Sequence, residues 1–268
     1  MHNYSIIDAH AHIFPAKIAE KATVNIGHFY DLPMSYIGSS ETLLENGARI
    51  NVTRFLVCTT ATRPAQVEHI NTFIDEECRK HEQFYGFATM HPDYEHIEQE
   101  LDRVLELGLH GIKLHPDFQL FDIDAPAAMK MYKAISERHL PILFHTGDNR
   151  YNYSAPHRLR NVVDAFPDLV CIGAHFGGYQ SWQEAMETLR DCPNVLFDTS
   201  SSLPFIKPDE AVDMLHYFGV ERFMWGSDFP MWDHAEELDR FLSLPLTEAE
   251  RERIFHGTFE DRLLHAEH

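Results

Sequence analysis

Eight short apolar segments, each followed by a longer amphipathic one, constrain the fold of this chain more than any other feature of its sequence. The apolar segments are nearly continuous, and Gly, Pro, Ser or Asp often follows them. This pattern is typical of strands that are buried on both faces of a parallel sheet. The predicted strands are Tyr4–Ile13, Arg54–Thr59, Phe84–Met90, Gly111–His115, Pro141–His145, Val170–His175, Val195–Asp198 and Phe223–Gly226.

The amphipathic segments between these strands predict helices. Their apolar residues recur every three or four positions, which is the spacing of one helix face. Gly108 stands where a helix would end, and Thr247 with Glu250 predicts a capping box at the start of another helix. The long segment from Phe14 to Val52 is less periodic, and we expect an extended loop there.

Repeated strand–helix units indicate an α/β fold, and eight of them predict a single (β/α)8 TIM barrel. The chain has 268 residues, close to the roughly 250 that are typical of one such barrel. We therefore expect residues 1–268 to form one domain. A doubly wound open sheet is the alternative, and the absence of a phosphate-binding Gly-rich turn after the first strand disfavours it.

Charge and cysteine content narrow the class of partner and the compartment. Acidic residues outnumber basic ones 42 to 22, for a net charge of −20, which disfavours binding to nucleic acid or to an anionic membrane. We expect a small-molecule substrate instead. The four cysteines form no C-x-x-C pair, and neither a signal peptide nor a bilayer-spanning apolar run is visible, so we expect a cytoplasmic protein. Cys58 and Cys171 lie in apolar runs and are predicted core residues.

Two histidines end the first predicted strand, in the run Asp8-Ala9-His10-Ala11-His12. Side chains two apart on a strand point to the same side, so His10 and His12 are expected to face one way. Two neighbouring imidazoles are suitable ligands for a borderline metal ion such as zinc. Alone, the pair is equally compatible with two polar strand residues that have unrelated partners.

Three more ligand-type residues follow other predicted strands. His145 ends the fifth strand, His175 ends the sixth, and Asp228 follows the eighth. The carboxyl ends of the strands form the face on which barrel active sites are built. The coincidence at four strands is hard to explain by packing, and it predicts a metal site that includes these residues.

Lys113 lies inside the fourth apolar strand, in the segment Gly111–Pro116. An isolated buried ammonium group is costly, so this lysine is expected to contact an anionic substrate or to be a carbamylated bridge between two metals. A lysine whose amine reaches solvent at the strand end is the alternative. A turn at Pro116 adequately explains the neighbouring His115 and Asp117.

Taken together, the D-x-H-x-H start, Gly111–Pro116, the strand-end histidines, Trp225–Pro230 and Arg262–Leu264 resemble the amidohydrolase superfamily. The similarity runs through nearly the whole chain, and it is greatest to the amidohydrolase-2 type, related to aminocarboxymuconate-semialdehyde decarboxylase. This resemblance implies a barrel whose metal ligands are His10, His12, His145 and Asp228. It further implies that His175 is a catalytic residue or a ligand to a second metal.

The expected activity is metal-dependent hydrolysis of a small carboxylated amide, lactone or ester. We expect one or two divalent ions, zinc with manganese as the alternative, to activate a water molecule. Asp228 would accept the proton of that water, His175 would polarise the substrate carbonyl, and Lys113 would bind an anionic group.

Two other activities stay open at this stage. A non-oxidative decarboxylase would use the same residues, although the strand-end motifs hold no arginine to bind the leaving carboxylate. Arg150 and Arg63, which lie in predicted loops, are the remaining candidates for that contact. A metal-free ligand-binding barrel is the third hypothesis. Formation of a homodimer is an expectation by analogy with related barrels alone.

Overall fold

The structure, a computed structural model, describes residues 4–265. The described residues divide into two compact units. The first unit comprises residues 4–58, 81–84 and 199–265, and the second comprises residues 59–80 and 85–198. The single domain expected from the sequence stays a prediction.

The strands are short and match the predicted apolar segments closely. Within the described part of the chain they are β1 Ile6–His12, β2 Val52–Cys58, β3 Phe84–Gly86, β4 Ala88–Thr89, β5 Ile112–Leu114, β6 Ile142–Phe144, β7 Cys171–Gly173, β8 Val195–Asp198 and β9 Phe223–Met224. The third predicted strand is interrupted at Phe87, and its second half, β4, pairs with β5.

Helices follow these strands. They are α1 Ala19–Tyr30, α2 Ser40–Ala48, α3 Val67–Lys80, α4 Ile97–Glu106, α5 Pro116–Gln119, α6 Pro126–Ser136, α7 Pro156–Ala165, α8 Trp182–Leu189, α9 Pro208–Phe218, α10 His234–Leu242 and α11 Glu248–Glu252. Two π-helical turns, Arg253–Gly257 and Glu260–Leu264, come after α11. Between residues 4 and 265, no helix is both long enough and apolar enough to cross a membrane.

In the first unit, β1 lies between β2 and the segment Trp225–Phe229. It pairs in parallel with β2, from Ile6 opposite Val52 to His12 opposite Cys58. On its other edge, the N–H of Ala9 donates to the carbonyl of Trp225 (2.9 Å). The backbone N–H of Asp228 donates in turn to the carbonyl of His10, at 2.8 Å. These bonds bring the end of β1 beside the loop that follows β9.

In the second unit, β4 to β8 form a continuous parallel sheet in the order β4–β5–β6–β7–β8. Ile112 of β5 lies opposite Ile142 of β6, which lies opposite Cys171 of β7. Because these strands are parallel and in register, their carboxyl ends share one edge of the sheet. This edge therefore carries His115, which directly follows β5, and His145, which directly follows β6. Lys113 lies on β5, two residues before His115.

The predicted helix signals are confirmed at both places where the sequence is specific. Gly108 follows α4 with a φ of 74°, a left-handed conformation that favours glycine. Thr247 caps α11 through a capping box with Glu250, in which each side chain accepts the other residue's backbone N–H.

The expected loop from Phe14 to Val52 is wrong, since this segment contains α1 and α2. The buried residues of α1 are Ala19, Thr23 and Gly27, four positions apart. These small side chains form a helix face, yet their hydropathy does not mark it as an apolar one. Helix α2 begins at a Ser39 cap, whose hydroxyl accepts the backbone N–H of Thr42 at 3.2 Å.

Candidate metal centre

Three of the predicted ligands, His10, His12 and Asp228, converge in the first unit. The Nε2 atoms of His10 and His12 are 3.2 Å apart. Oδ1 of Asp228 lies 3.3 Å from Nε2 of His12 and 3.7 Å from Nε2 of His10. The two imidazoles thus point to the same side of β1, as the two-residue spacing predicted.

Each of these three side chains also has a polar neighbour at the ring nitrogen or carboxylate oxygen that does not face the other two. Oγ of Ser200 lies 3.1 Å from Nδ1 of His10, and Sγ of Cys58 lies 3.5 Å from Nδ1 of His12. The hydroxyl of Ser201 donates to Oδ2 of Asp228 at 2.5 Å. Such partners fix the orientation of an imidazole or carboxylate, so Nε2 and Oδ1 are the atoms presented to the shared point.

The backbone at this site is held in an unusual conformation. Ser201 has a φ of 50° and Asp228 a φ of 55°, which are left-handed values that non-glycine residues rarely adopt. Each such residue costs free energy, and such residues cluster at functional sites. The hydrogen bond between these two side chains joins both strained positions.

The donor set fits a divalent metal ion. Two imidazole nitrogens and a carboxylate oxygen face one another here, and these are ligand atoms that bind divalent ions in proteins. Metal–nitrogen bonds of about 2.0–2.1 Å at a tetrahedral centre place two nitrogens about 3.3 Å apart. The observed 3.2 Å between the Nε2 atoms matches that separation. Imidazole with carboxylate suits zinc and manganese alike.

The second unit brings His145 and His175 together. Nδ1 of His145 lies 3.0 Å from Nε2 of His175. The backbone of His175 is held on both sides, since its N–H donates to Oδ1 of Asp198 at 3.0 Å and its carbonyl accepts from Nε1 of Trp182 at 3.0 Å. His175 has a φ of 60°, so this strand end also carries a left-handed residue.

His115 and Asp117, which the sequence explained by a turn, also lie at this edge of the second unit. The His115 ring stacks on the His145 ring, with centroids 3.9 Å apart. Oδ2 of Asp117 lies 3.9 Å from Nε2 of His145 and accepts a hydrogen bond from Ser154. Burial raises the pKa of Asp117 to about 6 against the lowering effect of that hydrogen bond.

The remaining predicted residues also belong to the second unit. The side chain of Lys113 is fully buried on β5, opposite Leu143 of β6. Arg150 forms an ion pair with the buried carboxylate of Asp148, with Nη2 to Oδ2 at 2.7 Å. Arg63 is exposed at the start of the turn before α3.

Sequence reasoning missed the serines and one histidine of the first unit. Ser200 and Ser201 belong to a polar run that directly follows β8, and this strand-end position was the available signal. His234, at the start of α10, carries no local signal. Its ring is fully buried, and its Nε2 lies 2.9 Å from Oδ2 of Asp8.

The solved structures that resemble the chain share its fold. A TIM-barrel protein from Bordetella bronchiseptica superposes with a TM-score of 0.78 at 18% identity, over 97% of this chain and 98% of the other. A dihydroxybenzoic acid decarboxylase from a Polaromonas species, with bound manganese and 2-nitroresorcinol, gives 0.74 at 15% identity, over 96% of both chains. A probable 2-pyrone-4,6-dicarboxylic acid hydrolase from Acinetobacter baumannii gives 0.70 at 15% identity, over 96% of this chain and 98% of the other.

Decarboxylases of 5-carboxyvanillate and of 2,6-dihydroxybenzoate are also among the similar structures. At these identities the likeness establishes the fold alone, so the TIM-barrel prediction is confirmed. No curated protein matches the sequence. The amidohydrolase family model, in contrast, matches residues 7–258, which is nearly the whole chain. The chain therefore belongs to the amidohydrolase family.

Proposed function

We propose that this chain is a metal-dependent enzyme that removes carbon dioxide from a small hydroxylated aromatic acid without an oxidant. The observation that carries the proposal is the convergence of Nε2 of His10, Nε2 of His12 and Oδ1 of Asp228 within 3.7 Å of one another. A divalent ion held by these atoms would bind the oxygens of the substrate and neutralise their charge. Manganese in a similar decarboxylase supports the choice of ion, with zinc as the alternative.

The chain's own residues would supply the proton. Loss of carbon dioxide leaves an electron pair on the ring carbon, and a C–H bond must form there in place of the C–C bond. Protonated Asp228 or His175 would donate that proton. The Ser201 hydroxyl, which donates to Oδ2 of Asp228 and accepts from Nε1 of Trp232 at 2.8 Å, keeps this carboxyl group oriented.

Three further predicted residues belong to the second unit. The family resemblance assigns His145 to the metal and His175 to catalysis or to a second metal, and both assignments stay predictions. Lys113 stays our candidate for the cation that binds an anionic group of the substrate. Its side chain is fully buried on β5, two residues before His115.

Hydrolysis of a carboxylated lactone, amide or ester is the second candidate. The similarity to the probable 2-pyrone-4,6-dicarboxylic acid hydrolase favours it. In this reaction Asp228 would accept a proton from the attacking water, and His175 would polarise the carbonyl group. The same donor set serves both reactions, so an assay has to separate them.

One assay in D2O distinguishes the two candidates. The manganese-loaded protein is incubated with 2,6-dihydroxybenzoate, 5-carboxyvanillate or 2-pyrone-4,6-dicarboxylate, and the products are identified by mass spectrometry and NMR. A decarboxylase releases carbon dioxide and leaves one deuterium on the carbon that lost it. A hydrolase opens the pyrone ring instead. Turnover of the pyrone alone would replace the first proposal by the second, and equal turnover by His10→Ala would contradict both.

A further inference from the structure

The carboxylate of Asp8 is buried directly behind two of the metal donors in the first unit. Its Oδ1 accepts the backbone N–H of His10 at 3.1 Å and the backbone N–H of Ser227 at 3.0 Å. Its Oδ2 accepts the hydroxyl of Ser227 at 2.6 Å and Nε2 of His234 at 2.9 Å. This fully buried carboxylate therefore accepts four hydrogen bonds.

Two of these hydrogen bonds attach Asp8 to the backbone of the segments that carry the proposed metal ligands. His10 is one of these ligands, and Ser227 immediately precedes Asp228, which is another. The segments are joined again by the Asp228 N–H, which donates to the His10 carbonyl at 2.8 Å. The hydroxyl of Ser227 also accepts the N–H of Phe229 at 3.0 Å. Asp8 thus fixes the backbone from which both donor side chains extend.

His234 is one of the groups whose hydrogen bonds compensate the burial of the Asp8 carboxylate. A carboxylate without a charged or hydrogen-bonded partner is expensive in an apolar interior. The His234 ring is fully buried among aromatic rings, with centroids 5.7 Å from Phe229 and 6.1 Å from Trp225 and Phe55. Its Nδ1 has no hydrogen-bond partner among residues 4–265, so the only polar contact found for this ring is that with Asp8.

From this geometry we propose that Asp8, held by His234, is a positioning residue that sets the distance between the donors of His10 and Asp228. Asp8 accepts a hydrogen bond from the backbone N–H of His10. The inference rests on the proposed metal site and adds to it the residues that hold the donors in register. Ser227 is the third member of this group, because it contributes two of the four hydrogen bonds to Asp8.

The test compares metal binding by the full-length protein and its variants. Asp8→Asn keeps the size of the side chain but turns an amide NH2 toward groups that donate hydrogen bonds to Asp8 in the wild-type protein. Glu100→Gln is the matched control: this buried carboxylate of the second unit accepts hydrogen bonds from Asn71 and Arg103. Dissociation constants for Mn(II) come from calorimetry, and the visible spectrum of the Co(II)-loaded protein reports the donor geometry.

We expect Asp8→Asn to raise the dissociation constant by about 10- to 100-fold and to change the Co(II) spectrum. Glu100→Gln should leave the dissociation constant and the Co(II) spectrum unchanged, even if its melting temperature falls by as much as that of Asp8→Asn. Should Asp8→Asn fail to fold, Ser227→Ala removes one of the four hydrogen bonds and is expected to weaken binding at least threefold.

Two results would contradict the inference in distinguishable ways. If the wild-type protein binds Mn(II) and Asp8→Asn or Ser227→Ala binds it within twofold of the wild-type constant, the positioning role is wrong and the metal site stands. If the wild-type protein binds neither Mn(II) nor Co(II), the proposed metal site is wrong and the positioning role falls with it.

Discussion

The imidazole rings of His115 and His145 lie face to face, with centroids 3.9 Å apart and planes 6° from parallel. Phe118 stacks on His115 as well, at 3.8 Å and 11°. Nδ1 of His115 meanwhile accepts the backbone N–H of Phe118 at 3.3 Å and caps α5. One residue therefore caps a helix and supports the ring of a predicted metal ligand.

Two substitutions of His115 separate these roles. His115→Phe keeps a flat ring against His145 and loses the cap, whereas His115→Asn keeps a capping acceptor and loses the ring. Stacking holds the His145 ring in place, so we expect its side-chain NMR signals to stay near their wild-type positions in the Phe variant. In the Asn variant they should shift or broaden. If the His145 signals instead shift in His115→Phe and stay in place in His115→Asn, the cap matters and the stack does not.

Gly147, two residues after His145, is constrained both by its backbone conformation and by its neighbours. Its φ is 75°, and a Cβ added there would lie 2.5 Å from backbone atoms of Gly178 and Tyr179. We expect Gly147→Ala to lower the free energy of unfolding by about 2 to 4 kcal/mol, from backbone strain and overpacking together. Urea denaturation measures this loss.

Gly108 provides the matched control for Gly147. It has nearly the same φ, 74°, but a Cβ added there would meet nothing within 4 Å. Gly108→Ala therefore carries the cost of the left-handed backbone alone, about 1 to 2 kcal/mol. Equal losses in the two variants would mean that the backbone contacts of Gly147 relax at no cost.

The fold and the neighbouring positions of His10 and His12 were predictable because their signals are local. Buried parallel strands need continuous apolar runs, so the strand ends and the residues after them could be read from the sequence. Residues two apart on a strand share a side, and this spacing alone predicts that His10 lies beside His12. The order of the strands then brings Asp228 to the end of β1.

Other parts of the site depend on contacts between distant segments and have no local signal. His234 is 226 residues from its partner Asp8. The stack of His115 on His145 depends on the register of β5 and β6. Helix α1 escaped prediction because a buried face of Ala19, Thr23 and Gly27 has little hydropathy of its own.

Glu237 of α10 predicts a pH-dependent stability. Burial raises its pKa to about 7 from an ordinary 4.5, against the lowering effect of Arg240. Between these two pH values the unfolded chain loses this proton while the folded chain keeps it, so the free energy of unfolding falls as pH rises. The shift corresponds to roughly 3 to 4 kcal/mol at most.

Urea denaturation from pH 4.5 to 8 measures this effect in wild-type protein and in Glu237→Gln. The Gln variant should show a smaller fall in the free energy of unfolding between pH 4.5 and 7. Glu236→Gln, a change to an exposed neighbour on the same helix, should keep the wild-type slope. An identical slope in Glu237→Gln and wild-type protein would contradict the assigned pKa.

Metal analysis of the purified protein tests the central claim most directly. The wild-type chain and His12→Ala are prepared without chelator and without added metal, and manganese and zinc are measured by mass spectrometry. We expect about one equivalent of a divalent ion in wild-type protein and little in His12→Ala, because the variant removes one of three converging donors. No metal in the wild-type protein, and none taken up on titration, would contradict the account.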